Sequence, residues 1–177
     1  MRKVLVIGSG GAGKSTFARR LGKIIKVEVI HLDSLYWNSD WVETPKAVWL
    51  QTVAELVQRD AWIMDGNYSG TFDVRVKACD TLIFLDMPRL VCLWRVLKRR
   101  VAYRGKSRPD MAAGCPEQLD WEFTRWVWDY PKSSKSKIIE WMRENSGSKN
   151  VVWLRSPSEV ESYLAGLQKT VFADERR

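Results

Sequence analysis

The chain has 177 residues, 45% apolar and 28% charged, a composition ordinary for a soluble globular protein of one domain. Its net charge of +8 directs attention to anionic ligands, either nucleotides or nucleic acid. Three widely spaced cysteines without a CxxC pair exclude a disulfide framework and a zinc site, and favour a reducing cytoplasm. No apolar run approaches the ~20 residues of a membrane helix, so we expect no membrane partner.

Short apolar runs alternate with amphipathic segments along the chain. This alternation predicts an α/β fold in which helices cover both faces of a parallel sheet. We expect strands at 3–7, 27–32, 61–64, 81–85 and 150–154. We expect helices at 14–25, 45–59, 72–78, 117–129 and 132–144, a long one from 88 to near 105, and a last one from 157.

The segments between these elements complete one domain spanning 1–177. The stretch 34–44 is expected to be an aromatic loop, and 104–120 a mobile lid within the domain. Because Pro131 disfavours helix before it, we expect Tyr130-Pro131 to separate two helices. The charged tail from 170 is expected to fray.

Gly8 to Ser15 reads GSGGAGKS and fits the GxxxxGK[ST] pattern between a predicted strand and a predicted helix. Such a loop turns its backbone N–H groups toward phosphates, at the positive end of a helix dipole. We therefore expect a P-loop that binds ATP or GTP, with Lys14 on the β- and γ-phosphates and the Ser15 hydroxyl on Mg²⁺. The expected nucleotide contacts are Gly8, Gly10, Gly11, Ala12, Gly13, Lys14, Ser15 and, near the α-phosphate, Thr16.

Aspartates follow three of the predicted strands, at Asp33, Asp65 and Asp86. In open α/β sheets the ligand lies outside these strand ends. Asp65 follows four apolar residues, as expected for the carboxylate that holds the Mg²⁺ shell. Asp33 is a candidate to bind an acceptor hydroxyl or to act as general base, although any one of the three also fits a simple capping role. His31 receives no role.

A block of cations without any carboxylate lies between Met87 and Pro109. Within it, Arg95 and Arg99 share one face of the predicted helix. Arginines closing over a γ-phosphoryl group stabilise its charge, which favours an arginine-bearing lid. A solvated helix face and a DNA-backbone contact remain the alternatives. The block comprises Arg89, Arg95, Lys98, Arg99, Arg100, Arg104, Lys106 and Arg108.

Several longer motifs together resemble the bacterial DNA topology modulation proteins, over nearly the whole chain. They are the P-loop, HLDSLYW at 31–37, DGNYSG at 65–70, FLDMPR at 84–89, KRR at 98–100 and YRGKSRPD at 103–110. That family is similar to adenylate kinase and shikimate kinase, which implies a sheet order of 2-3-1-4-5. By this resemblance Asp65 would hold the Mg²⁺ shell, Arg95 would stack near the base and Arg99 would touch phosphates.

One position departs from the adenylate-kinase pattern. Adenylate kinases place an arginine for the AMP phosphate four residues after the aspartate that corresponds to Asp65, where this chain has Ser69. AMP is therefore disfavoured as acceptor, and Arg75 and Asp33 are the candidates to contact a different one.

Three functions agree with these residues. The first is a kinase that transfers the γ-phosphoryl group of Mg·ATP to a small-molecule or nucleotide acceptor, with Lys14, Asp33, Arg95 and Arg99 as catalytic residues. The second is a DNA-binding protein that uses the nucleotide as a switch and affects DNA topology. The third is a P-loop scaffold that binds nucleotide without transferring its phosphate. The sequence leaves the oligomeric state open.

Overall fold

The computed structural model describes residues 1–117, 120–145, 147 and 149–174, so part of the predicted lid and the end of the tail lie outside it. The strands are β1 (Lys3–Gly8), β2 (Val29–His31), β3 (Trp37–Asn38), β4 (Val42–Glu43), β5 (Trp62–Asp65), β6 (Thr81–Leu85) and β7 (Asn150–Leu154). The helices are α1 (Lys14–Ile25), α2 (Leu32–Tyr36), α3 (Lys46–Leu56), α4 (Phe72–Ala78), α5 (Arg89–Ala102), α6 (Trp121–Asn145) and α7 (Pro157–Asp174). Among the described residues, no helix has both the length and the apolar character needed to cross a membrane.

Five parallel strands form the central sheet in the order β2-β5-β1-β6-β7. Strands β3 and β4 form a separate antiparallel hairpin, so this order corresponds to 2-3-1-4-5 among the sheet strands. The α/β fold and the predicted strand order are therefore confirmed. The carboxyl ends of β1, β2 and β5 meet at one edge, where the P-loop begins.

The side chains of β1 alternate between two apolar layers. Val4 and Val6 pack in one layer with Phe17 of α1, and Leu5 and Ile7 pack in the other with side chains of α3 and α4. Both faces of the strand are therefore covered, which explains why its apolar run is continuous. This burial fixes the strand whose last residue opens the P-loop.

The segment 34–44 is ordered into local structure, and the prediction of a loop there is wrong. It contains the end of α2, the β3–β4 hairpin and a 3₁₀ turn at Ser39–Trp41. Thr44 closes the segment by donating from its amide and its hydroxyl to the carbonyl oxygen of Tyr36, at 2.8 and 2.7 Å. Edge-to-face contact between Trp37 and Trp41, with centroids 5.4 Å apart, holds the two ends of the turn together.

Helix α6 runs through Pro131, so the predicted break at Tyr130-Pro131 is also wrong. An interior proline costs a helix about 3 kcal/mol or more because it loses a hydrogen bond and clashes with the preceding turn. Val127 and Tyr130 before the proline, and Ile138 and Met142 after it, are all buried in the core. Val127, Ile138 and Met142 each contribute roughly 1.5–3 kcal/mol on burial, which together outweighs the penalty.

Candidate functional site

The P-loop joins β1 to α1, the context that its sequence motif requires. Gly11 and Gly13 have φ of 77° and 96°, in the left-handed region that favours glycine. A Cβ on Gly11 would lie 2.3 Å from the carbonyl oxygen of Cys92 in α5. The loop is therefore held against α5 in a conformation that only glycine permits at this point.

Lys14 is folded over the mouth of the loop. Its Nζ donates to the carbonyl oxygens of Gly8 and Ser9, both at 3.0 Å. Burial lowers the pKa of Lys14, and the carboxylates of Asp33 and Asp65 partly oppose this shift. The ammonium group is therefore within the field of both strand-end carboxylates, at the place where a phosphate would enter.

The turn after β5 supports the loop from behind. The Asn67 side chain forms two hydrogen bonds with Gly8. Its Oδ1 accepts from the Gly8 amide at 3.2 Å, and its Nδ2 donates to the Gly8 carbonyl oxygen at 2.8 Å. The side chain of Arg75 is completely buried and donates to the carbonyl oxygens of Gly66 and Tyr68 at 2.9 and 2.8 Å, and also to that of Asn67. Burial lowers the pKa of Arg75 to about 10. The expectation that Arg75 contacts an acceptor is therefore wrong, because its donors hold this turn.

Asp65, which is buried, and His31, which is half-buried, form a pair at the ends of β5 and β2. The two residues are register partners, and His31 Nδ1 lies 2.6 Å from Asp65 Oδ1. Burial alone would lower the pKa of His31, but the hydrogen bond and charge of Asp65 outweigh it and raise the pKa. Asp65 is only 4% exposed. His31, to which the sequence analysis assigns no role, therefore holds the Asp65 carboxylate in one orientation.

Asp33 faces the cleft from the first turn of α2. Its Oδ1 accepts a hydrogen bond of 2.7 Å from the Tyr68 hydroxyl. Burial and the nearby Asp33 carboxylate raise the pKa of Tyr68, so the phenol stays protonated and donates. Asp86 is directed elsewhere, with Oδ2 2.7 Å from Lys135 Nζ and 3.0 Å from Trp153 Nε1. Two of the three strand-end aspartates therefore belong to this site.

The arginines of α5 reach the loop and the segment that follows α5. Arg95 Nη1 donates to the Ala12 carbonyl oxygen at 3.1 Å. Arg99 Nε donates at 2.8 Å to Oε1 of Glu117, and Arg108 Nε lies 2.7 Å from Oε2 of the same buried carboxylate. Burial and the charge of Arg108 lower the pKa of Arg99, which Glu117 opposes. Glu117 thus joins two arginines at one point.

A second acidic residue extends this network to the P-loop. Arg108 Nη1 donates at 2.9 Å to Asp110 Oδ2, and the Ser15 hydroxyl interacts with the same carboxylate. Burial would raise the pKa of Asp110, but Arg108 and Ser15 outweigh it and lower the pKa. Asp110 and Glu117 were not predicted as site residues, because only the cations of this stretch were considered. The Arg-Pro-Asp run at 108–110 was the available sequence signal for Asp110.

The described part of the predicted lid, 104–117, lies over the cleft and contacts the β3–β4 hairpin. The Asp40 amide donates to the Gly114 carbonyl oxygen at 3.0 Å, and Trp41 Nε1 donates to that of Pro116 at 3.1 Å. Beneath it is a cleft of about 1020 Å³. Its wall includes the predicted site residues Gly10, Gly11, Ala12, Gly13, Lys14, Ser15, Thr16, Asp33, Arg95 and Arg99. Gly8 and Asp65 lie behind this wall, at the ends of β1 and β5.

The chain has the fold of a P-loop kinase. A shikimate kinase from Acinetobacter baumannii, solved with shikimate, superposes with a TM-score of 0.61 at 14% identity, covering 100% of this chain and 96% of that one. A gluconokinase from Sinorhizobium meliloti 1021 gives a TM-score of 0.54 at 15% identity, covering 98% and 97%. No protein-family model and no curated protein sequence matches the chain. The resemblance to DNA topology modulation proteins stays a prediction.

Proposed function

We propose that this protein is a kinase that transfers the γ-phosphoryl group of Mg·ATP to a hydroxyl group of a small-molecule acceptor. The observation that carries the proposal is one cleft whose wall combines the P-loop, the Asp33 carboxylate and the arginines of α5. Phosphoryl transfer needs a phosphate cradle, a group that orients the nucleophile and cations over the transferring group. Here all three lie in the same cleft.

The P-loop half accounts for nucleotide binding. Gly11 and Gly13 hold the loop in the left-handed backbone conformation, and a glycine-rich loop of this kind turns its N–H groups toward phosphate oxygens. Lys14 now bonds to the carbonyl oxygens of Gly8 and Ser9, and would exchange these bonds for the β- and γ-phosphate oxygens. Arg95 lies against the loop at Ala12, in keeping with a contact to the nucleotide.

The oxygen donors near the loop fit Mg²⁺, which is bound through oxygen ligands together with substrate phosphates. We assign the metal to the Ser15 hydroxyl, with Asp65 holding its water shell. Bound Mg²⁺ would neutralise charge on the β- and γ-phosphates. His31 fixes the orientation of Asp65, and Asp110, which interacts with the Ser15 hydroxyl here, would share that hydroxyl with the metal.

The transfer itself uses the residues around Asp33. Held by the Tyr68 hydroxyl, Asp33 accepts the proton of the acceptor hydroxyl while that oxygen attacks the γ-phosphorus. The bond from the γ-phosphorus to the bridging oxygen breaks, and ADP leaves. Lys14 and the pair of arginines joined by Glu117 stabilise the charge on the transferring group.

The acceptor end of the cleft has aromatic and acidic walls, formed by Trp37, Trp41, Glu43 and Tyr68. Ser69 stands where adenylate kinases have their AMP-phosphate arginine, and Arg75 is buried. These features favour a small hydroxyl compound over AMP. The two similar structures are kinases named for shikimate and gluconate, so the fold accommodates acceptors of this size.

A phosphorylation screen tests the proposal. The protein is incubated with Mg·ATP and a panel of sugars, polyols, hydroxy acids, amino alcohols and nucleosides, and phosphate esters are detected by ³¹P NMR. We expect one chemical class to be phosphorylated, and Lys14→Ala to abolish the product. Nucleotide binding without ester formation across the panel would instead favour the scaffold interpretation.

A further inference from the structure

The end of the cleft that would hold the acceptor is anionic. Residues 32–43, which form α2 and the β3–β4 hairpin, contain three carboxylates and no lysine or arginine. Asp33 and Glu43 line the cleft. Within the described part of the chain neither forms an ion pair; Asp33 accepts from the Tyr68 hydroxyl, and Glu43 interacts with that of Tyr36. Their negative charge is therefore available to a ligand.

Aromatic side chains stand beside these carboxylates. Trp37, Trp41 and Tyr68 line the same cleft. The rings of Trp37 and Trp41 meet nearly edge to face, with centroids 5.4 Å apart and an interplanar angle of 69°, so they form two walls of a corner. Glu43 is paired directly opposite Trp37 across the hairpin, which places both side chains on one face. We call Trp37, Trp41, Tyr68 and Glu43 the aromatic cage.

The aromatic cage is held in place by its surroundings. The Tyr68 ring packs against the rings of Tyr36 and Trp49, with centroids 4.8 and 5.1 Å away, and Trp49 is buried. Trp41 is fixed from the other side, because its Nε1 donates to the Pro116 carbonyl oxygen in the segment over the cleft. Binding would therefore order few side chains, which favours affinity for a small ligand.

The cations that line the cleft come from other elements than the cage: from α1, from α5 and from the segment after α5. Except for Arg19, each bonds to a P-loop carbonyl oxygen or to Glu117 or Glu161. The charges of Arg19 and Asp110 both act on His31, in opposite directions. An anionic acceptor would therefore find, among the described residues, no cation on the elements that carry the cage. The cations of the cleft wall are Lys14, Arg19, Arg20, Arg95, Arg99 and Arg108.

We propose that the aromatic cage binds an ammonium group of the acceptor, so that the substrate is an alcohol that carries a positive charge. Aromatic faces attract cations, and weakly hydrated quaternary ammonium groups are bound in cages of this kind. The Glu43 carboxylate adds an opposite charge. The identity of the acceptor rests on the proposed kinase function, whereas cation binding by the cage can be measured without catalysis.

Tyr68 connects the cage to the reacting groups, because its ring is part of the cage and its hydroxyl bonds to Asp33 at 2.7 Å. A short alcohol whose ammonium group occupies the cage can therefore bring its hydroxyl to Asp33. The hydroxyl oxygen bonds to the γ-phosphorus, the bond from that phosphorus to the bridging oxygen of ADP breaks, and Asp33 takes the proton. The ammonium group is unchanged, and the products are a phosphate ester and ADP.

Two matched alcohols test the proposal. 2-(Trimethylammonio)ethanol and its uncharged isostere 3,3-dimethylbutan-1-ol are supplied with Mg·ATP, and the anionic alcohol 3-hydroxybutanoate is supplied in parallel. We expect kcat/KM to be at least about 30-fold higher for the cation than for its isostere, the factor of one desolvated cation–π contact. Trp37→Leu and Trp41→Leu should each reduce this ratio about tenfold, and exposed Glu43→Gln up to about fivefold. Trp128→Leu, at an exposed position on α6, is the matched control and should keep the ratio.

A binding measurement separates the cage from catalysis. Ligand-observed NMR gives the Kd of tetramethylammonium, which has no hydroxyl group to phosphorylate. We expect binding that Trp37→Leu and Trp41→Leu each weaken about tenfold and that Trp128→Leu leaves unchanged. The ratio of cation to isostere is insensitive to a general loss of activity, and circular dichroism verifies that the variants fold.

Two results would overturn the proposal. The first is no binding of tetramethylammonium, or binding that both cage tryptophan variants leave unchanged. The second is phosphorylation of the uncharged or the anionic alcohol as efficiently as of the cation, which would leave the kinase standing with a different acceptor. Failure of the kinase itself looks different. Tetramethylammonium would then bind and the cage variants would weaken it, which supports the cage, while no alcohol would yield an ester.

Discussion

Glu117→Gln is the sharpest test of the lid network, because it removes one charge and keeps the shape. The Glu117 carboxylate lies between two guanidinium groups, 2.8 Å from Arg99 and 2.7 Å from Arg108. Removing one partner of a buried ion pair costs about 3–5 kcal/mol, since the remaining charge is left unpaired. The side chains of Arg99 and Arg108 are 23% and 11% exposed, so solvent screens part of this cost. We therefore expect about 3 kcal/mol, the low end of that range.

This cost should affect the lid and leave the sheet intact. Glu117 lies in the segment over the cleft, so releasing that segment avoids the unpaired charge without unfolding the core. About 3 kcal/mol corresponds to roughly 150-fold in the population of the closed lid. We expect kcat/KM to fall by up to that factor with the acceptor identified by the screen, with little change in Tm.

Two measurements check this expectation. Steady-state kinetics gives kcat/KM, and hydrogen exchange reports protection of the Glu117 amide, which donates to the Lys106 carbonyl oxygen at 3.0 Å in the closed lid. Glu28→Gln is the control, because its ion pair with Arg59 is exposed and worth less than about 1 kcal/mol. Wild-type kinetics together with unchanged amide protection in Glu117→Gln would refute the reasoning.

Three further changes have defined outcomes. Arg75→Leu leaves several buried carbonyl oxygens without donors, so we expect a loss of at least about 3 kcal/mol and a Tm drop of roughly 6–12 °C, against little change for exposed Arg59→Leu. In the wild type, a nucleotide at one hundred times its Kd should add about 2.7 kcal/mol to the free energy of unfolding. Gly11→Ala places a Cβ against the backbone of Cys92 and should abolish this gain, whereas Gly70→Ala, where the Cβ meets open space, should keep it. The pKa of His31 is raised above 6.5, so its pairing stabilises the fold fully below pH 6.5 and is lost as the pH rises through the folded-state pKa. Melting temperature should therefore fall as the pH rises above 6.5 and through the folded-state pKa of His31 in the wild type, and much less in His31→Gln; parallel profiles would contradict this.

The parts of the fold that local patterns determine were predictable. The P-loop, its preceding strand and its following helix are all recognisable from adjacent residues. The strand order followed from the resemblance to a known family. The prediction of a break at Pro131 is wrong because the free-energy penalty of one proline is smaller than the free energy gained by burying the apolar side chains on either side of it. Only the assembled core shows that balance.

The candidate site was predictable where function requires a motif, and not where it depends on contacts between distant segments. Glu117 and Arg99 are 18 residues apart, and no periodic pattern links them. Arg75 was predicted to contact a ligand because the sequence alone does not show that its side chain is buried. The β3–β4 hairpin around Trp37 was not predicted because its sequence shows no apolar alternation. Aromatic contacts and hydrogen bonds to the segment 104–117 hold it instead.

The central claim is tested most directly by the fate of the γ-phosphoryl group in wild type and in Asp33→Asn. Single-turnover reactions with Mg·ATP and the acceptor would quantify phosphate ester and inorganic phosphate side by side. We predict that wild type forms the ester, and that Asp33→Asn slows transfer by about 10²–10⁴-fold while binding nucleotide with unchanged affinity. Equal ester formation by both proteins, or inorganic phosphate as the sole product of the wild type, would contradict the account.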